Sequence, residues 1–130
     1  MKKIIFGSLI AVLVAACTAS GYLSVSITGD ENVSATDYRN YYVAADTTAT
    51  VNIQVNSSST ASVTCLDEDD STCQWVTLSS GSTDGYGDVV MTISPNEGAE
   101  RKCYLTIQTE SGRSERFTFH QYAGTSSVNN

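Results

Sequence analysis

The chain has 130 residues, one domain by the usual size relation and too few for two independent cores. Its 14 acidic residues against 7 basic ones give a formal charge of −7. That balance excludes nucleic acid, or an anionic surface gripped by charge, as a partner, because both require clustered Lys and Arg. A soluble surface kept apart from its neighbours by net charge is the plain reading.

Met1-Lys2-Lys3 is a short basic start, residues 4–14 are uncharged and mostly apolar, and Val14-Ala15-Ala16-Cys17 closes the segment with small residues. This is the layout of an export signal. The apolar run is shorter than the ~20 residues a membrane-spanning helix needs, so a transmembrane anchor is not expected. Cys17 follows a branched aliphatic and two small residues, and in this the segment resembles a lipoprotein signal. Residues 1–16 are then the signal peptide, Cys17 the lipidation site and residues 17–20 a tether; plain secretion with cleavage a few residues later is the alternative. Acyl chains contribute about 0.8 kcal/mol per buried methylene, which would make the lipid the protein's one contact with a membrane. The expected location is the cell envelope, on the periplasmic or the surface face of an outer membrane.

Export sets the redox reading of Cys65, Cys73 and Cys103, since thiols pair in oxidising compartments. Cys65 and Cys73 bracket a short polar loop that a bridge could staple, and a bond from either of them to Cys103 is the alternative. The spacing lacks paired CxxC units, so no zinc site is expected.

From residue 21 onward the pattern is β. Residues 22–27 alternate, with Leu23, Val25 and Ile27 on one face. Residues 28–40 are polar and read as a loop, followed by a short strand at 41–43. Residues 49–56 form a half-buried strand with Val51, Ile53 and Val55 inward. A Ser/Thr turn at 57–60 precedes a further strand at 61–65, and 66–72 is an acidic loop. Residues 75–78 resume strand character, and the Gly/Ser-rich 79–87 reads as a flexible connection. Val89, Met91 and Ile93, then Cys103, Leu105 and Ile107, then Phe117, Phe119 and Gln121 are three inward sets. Between the last two, Glu110-Ser111-Gly112 is a three-residue hairpin loop with glycine at the left-handed position. This sets Cys103 opposite Phe119 and Leu105 opposite Phe117 inside, with Tyr104 facing Thr118 and Lys102 facing His120 outside. Short strands with turns between them, and no helical period, predict an all-β, immunoglobulin-like antiparallel β-sandwich over residues 21–123, with a disordered tail at 124–130.

Trp75-Val76-Thr77-Leu78, the loop from Gly81 to Gly87, the strand at 89–94, Asn96 with Arg101, and Gln121 follow one another in an order that resembles a BACON-type domain. The resemblance covers about fifty residues and departs from the family pattern in the longer 22–43 region and in the cysteine-bearing hairpin before Trp75. It implies an immunoglobulin-like module of exported gut-bacterial proteins, named for presumed carbohydrate binding. Trp75, Asn96, Arg101 and Gln121 carry the resemblance, and each also reads as structural. An indole could stack on a sugar but sits more often in a sandwich core. Gln121 falls on the inward phase, where its amide can satisfy backbone groups. Asn96 and Arg101 occupy turn and strand-entry positions.

The better binding candidates lie on the opposite phase of the last hairpin, where Tyr104, His120 and Tyr122 offer ring faces beside Lys102, Thr106 and Thr118. Asp67-Glu68-Asp69-Asp70, and Asp84 with Asp88, lack the spacing of a calcium loop, so no metal or cofactor is expected. With one histidine, no Gly-x-Ser-x-Gly and no placeable carboxylate pair, catalysis is not expected either. The reading is a non-catalytic envelope protein that binds a glycan. The alternative is a spacer or protein-interaction module that contacts an envelope protein.

Overall fold

The computed structural model describes residues 21–124. The expected signal peptide and tether, with Cys17, and residues 125–130 lie outside them. Eight strands follow in order: β1 (Leu23–Gly29), β2 (Val33–Asp37), β3 (Asn40–Val43), β4 (Ala49–Asp67), β5 (Val76–Leu78), β6 (Ser82–Ile93), β7 (Arg101–Thr109) and β8 (Ser114–Gln121). Most form where apolar residues recur at every second position, so that one face meets the core and the other meets solvent. In β8, Phe117, Phe119 and Gln121 are buried while Thr118 and His120 stay partly open.

β4 builds both layers of the fold. Its first half lies between β1 and β6, with Ile53 opposite Ile27 on one side and Val89 on the other. Its second half pairs with β7, Val63 opposite Ile107. β5 completes the first layer beside β6; β8, β3 and β2 extend the second beyond β7. The two layers close on one core that includes Val25, Ile53, Val63, Met91, Leu105, Phe117 and Phe119. The protein is an immunoglobulin-like β-sandwich. The ladder between β3 and β8 is parallel, with Tyr42 opposite His120, so the sheet is mixed and not purely antiparallel.

Four expectations about local structure are corrected. The 57–60 segment does not end a strand. It is a bulge inside the 19-residue β4, where the register against β6 shifts between Asn56 and Thr60. Ser58 N donates to Tyr22 O and Glu110 N to Thr60 O, so neighbours take up the backbone groups that a turn would leave to water. Residues 28–40 are not all loop, because β2 folds back on β3 and buries Val33 against Val43. The tight return is held by the Asp37 carboxylate, which accepts from Arg39 N at 2.8 Å and Asn40 N at 2.9 Å. The Gly/Ser-rich 79–87 segment enters β6 at Ser82, with Gly85 at φ +87° letting the strand follow the bulge in β4. Gly124 also belongs to the folded part: its N–H donates to Gly98 O, and a Cβ there would collide with the Asn96 carbonyl.

The last hairpin has the register its loop requires. Cys103 pairs with Phe119, Leu105 with Phe117, Tyr104 with Thr118 and Lys102 with His120. Gly112 adopts φ +104°, and Thr109 N donates to Arg113 O at 2.8 Å.

Asp30 ties the β1–β2 turn to β4, accepting from Asn32 N at 2.8 Å and from Thr50 N at 2.9 Å. Burial pushes its carboxyl up, but the hydrogen bonds from Asn32 and Thr50 outweigh it and hold the group below its ordinary 3.8. A depressed folded-state value stabilises the fold above the unfolded value, and that stability is lost as pH falls through the folded one. Melting temperature should therefore drop on acidification below about pH 4, and Asp30→Asn should flatten that limb. An identical acid limb in the variant would clear Asp30 of the effect.

Candidate functional site

The β2–β3–β8–β7 sheet aligns one outward row across four strands: Ser34, Tyr42, His120 and Lys102. Parallel pairing of β3 with β8 lays the Tyr42 ring on His120, with centroids 4.5 Å apart and planes 9° from parallel. Tyr122 continues the stack 6.0 Å from Tyr42. His120 Nε2 lies 3.3 Å from Asn40 Oδ1, a contact that fixes the imidazole's orientation. The result is an aromatic strip whose outer end, Tyr122, is 51% exposed.

Two hollows flank the strip. One of about 210 Å³ is bounded by Glu31, Asn32, Ser34, Tyr42 and Tyr122, and offers carboxylate, amide and hydroxyl groups beside ring edges. The other, about 220 Å³, is lined by Glu68, Glu100, Arg101, Lys102 and His120. His120 thus separates a neutral-to-acidic hollow from a mixed-charge one.

Of the three residues expected to bind, His120 and Tyr122 come together through Tyr42. Tyr104 does not join them. It pairs with Thr118 one row away, and the Arg116 guanidinium covers its ring at 4.1 Å, with Lys102 at 5.9 Å. Tyr42, the centre of the stack, was not among the sequence candidates. Alternation places it on an outward phase, but which strand lies beside it is decided by a pairing between segments 78 residues apart.

The four residues that carry the family resemblance converge at one end of the sandwich. The Arg101 guanidinium lies over the Trp75 ring at 4.2 Å, and its Nε donates to Gln121 Oε1 at 2.8 Å. The fully buried Gln121 amide donates to Ser94 O at 2.9 Å and Ala44 O at 3.2 Å. Ser94 N reaches back to Trp75 O at 3.0 Å. Asn96 Nδ2 donates to Ala99 O and Tyr122 O, while its Oδ1 accepts from Gly98 N. The amide groups of Gln121 and Asn96 and the Arg101 Nε and Nη2 groups are all directed at backbone or at another member, and Trp75 is only partly buried at the rim. The network joins β3, β6, β7 and β8, and it sets Tyr122 through the carbonyl that Asn96 grips.

The acidic loop is organised by its first carboxylate. Asp67 Oδ1 accepts from Asp69 N at 2.8 Å and Ser71 N at 3.1 Å. Asp84 and Asp88 lie on β6, where Asp84 pairs across from Thr60 and Asp88 from Gln54.

The loop returns Cys73 to the core, where its N–H donates to Cys65 O at 3.1 Å. Cys65, Cys73 and Cys103 are all buried free thiols, so the structure does not carry the expected Cys65–Cys73 bridge. Their sulfurs lie within 4.8 Å of one another. Hydrogen bonds to Cys65 and Cys73, with burial, hold Cys103 protonated, whereas Cys73 is drawn down by its hydrogen bonds with Cys103 and Cys65.

No family model matches the chain, and no curated protein matches it. Among solved structures it resembles part of a Bacteroides ovatus GH5 xyloglucanase determined with an XXXG heptasaccharide. The TM-score is 0.56 at 17% identity, over 75% of this chain and 19% of the enzyme. Two structures of titin Z1Z2, one a chimera carrying a decorin peptide and one bound to telethonin, match with TM-scores of 0.49 and 0.48 at 16% identity. Each match covers 75% of this chain, with 92% of the chimera and 47% of the telethonin complex's chain.

Proposed function

We propose that the chain is an exported, lipid-anchored, non-catalytic protein of the cell envelope, related to BACON-type domains, whose outer β3–β8 face binds a glycan. The observation that carries this reading is the Tyr42–His120–Tyr122 strip beside a hollow lined by Asn32, Ser34 and Glu31. Ring faces pack on the C–H face of a pyranose, and neighbouring amide, hydroxyl and carboxylate groups match its hydroxyls. The likeness to a stretch of a xyloglucanase concerns the fold, so hydrolysis does not come with it. Lipidation at Cys17 supplies the anchor in this reading, and fatty-acid labelling lost in Cys17→Ala checks it.

Tyr42→Ala with Tyr122→Ala is expected to weaken glycan binding by about tenfold or more, since each removes a stacking ring. Both side chains lie on the solvent face, so the melting temperature should stay close to that of the unmodified protein. Tyr104→Ala, whose ring Arg116 covers, should leave affinity nearly unchanged. A glycan array followed by calorimetry reads all three. An array that stays silent while an envelope protein binds in stoichiometric amount would sink the carbohydrate reading.

A further inference from the structure

The three cysteines come from the end of β4, the return of the acidic loop and the start of β7, and the fold gathers them at one point. Asp67 pairs with Cys103 and Leu105 with Cys65, so Cys65 and Cys103 are diagonal neighbours on the inner face of one sheet. Cys73 is docked against them by its hydrogen bond to Cys65 O and by the Leu66–Thr72 bridge. One disulfide would use two of these sulfurs and leave the third buried against the bond. A triangle of three sulfurs matches a different use. A metal–sulfur bond of about 2.3 Å puts the sulfurs of a trigonal site about 4 Å apart, inside the 4.8 Å limit observed.

Among the described residues no histidine or carboxylate joins the cluster, so the protein offers sulfur alone and three ligands only. Soft thiolates suit monovalent copper as well as zinc, and a set of three sulfurs falls short of the four ligands a structural zinc takes. Three thiolates around a single positive ion leave excess negative charge, and the Arg101 guanidinium acts on both Cys73 and Cys103. A largely apolar cleft of about 280 Å³, bounded by Val63, Leu66, Val76 and Leu78, opens onto Cys65 and Cys73 and gives an ion a way in.

We propose that Cys65, Cys73 and Cys103 form a trigonal site for one copper(I) ion. As each sulfur–copper bond forms, the thiol's proton passes to solvent, and no electron is transferred. Ligation also explains how three thiols could stay unpaired in an oxidising compartment, since a metal-bound thiolate is withdrawn from exchange.

The test uses the full chain, reduced and kept under anaerobic conditions, titrated with copper(I) against a chromophoric copper(I) chelator. About one copper per chain is expected to survive desalting, with an ultraviolet sulfur-to-copper band, and Cys73→Ala should weaken retention by at least about tenfold. Zinc in the same titration should compete poorly. Equal copper retention by Cys73→Ala would overturn the site. So would wild-type protein that takes up no copper, or that leaves the envelope two hydrogens lighter with one reactive thiol, the signature of a disulfide. The wild-type arms decide the matter even if a cysteine variant fails to fold.

Discussion

Gln121→Leu is expected to cost the domain about 2–4 kcal/mol, although leucine fills nearly the same volume. The side chain is fully buried, and its amide serves three partners: Arg101 Nε, Ser94 O and Ala44 O. Leucine would take the amide donor from Ala44 O, leave Ser94 O with only Arg101 Nη2 at 3.3 Å, and remove an acceptor from a guanidinium. An unsatisfied buried group costs about 1–3 kcal/mol, more when charged. The hydrophobic gain of the substitution offsets part of that loss, which is why the estimate stays well below the sum over three groups. Urea unfolding measures it, and a loss smaller than about 1 kcal/mol would mean that water reaches these groups. Because Asn96 in the same network grips the Tyr122 carbonyl, Gln121→Leu should also loosen the end of the aromatic strip, and glycan affinity should fall with stability. Separating the two effects requires the Tyr42 and Tyr122 variants, which touch the strip and not the network.

Phe119→Ala is expected to be more severe, about 3–5 kcal/mol, by loss of apolar burial together with the cavity left behind. Its ring has no exposed surface and stacks on Tyr41 at 4.9 Å, while Tyr41 meets Phe117 edge-on at 6.4 Å. The cluster joins β3 to β8, the two strands whose outward residues make the aromatic strip. A typical domain has only about 5–15 kcal/mol in hand, so the variant should remain folded but melt well below the wild type. A loss under about 1 kcal/mol would show that Tyr41 collapses into the space, because the cost depends on how well the site can close.

How much of this was legible in the residues differs from element to element. Period-two alternation is local, and it correctly assigned Phe117, Phe119 and Gln121 to one face and His120 to the other. The Glu110-Ser111-Gly112 loop admits one geometry, and the register from Arg101 to Gln121 followed from it. These are short-range statements: a strand's two faces and a tight turn are set by the residues that form them.

What stayed hidden has a common cause. β2 and the start of β6 are polar or glycine-rich and look like loops, yet each becomes strand because a partner edge stands ready to take its backbone hydrogen bonds. The Ser-Ser-Ser-Thr segment reads as a turn, yet it bends β4 from one layer to the other because Tyr22 and Glu110 meet its backbone there. Tyr42 reaches His120 only through the parallel β3–β8 ladder. Cys73 and Cys103, thirty positions apart, meet only because the acidic loop turns back onto the end of β4. The sequence by itself determined which side chains face the core and which face solvent, since that choice is made within a few residues. Only the tertiary structure decided which of them become neighbours, because pairing between distant strands is settled by the closure of the whole sandwich. The aromatic strip and the sulfur triangle are both of that second kind.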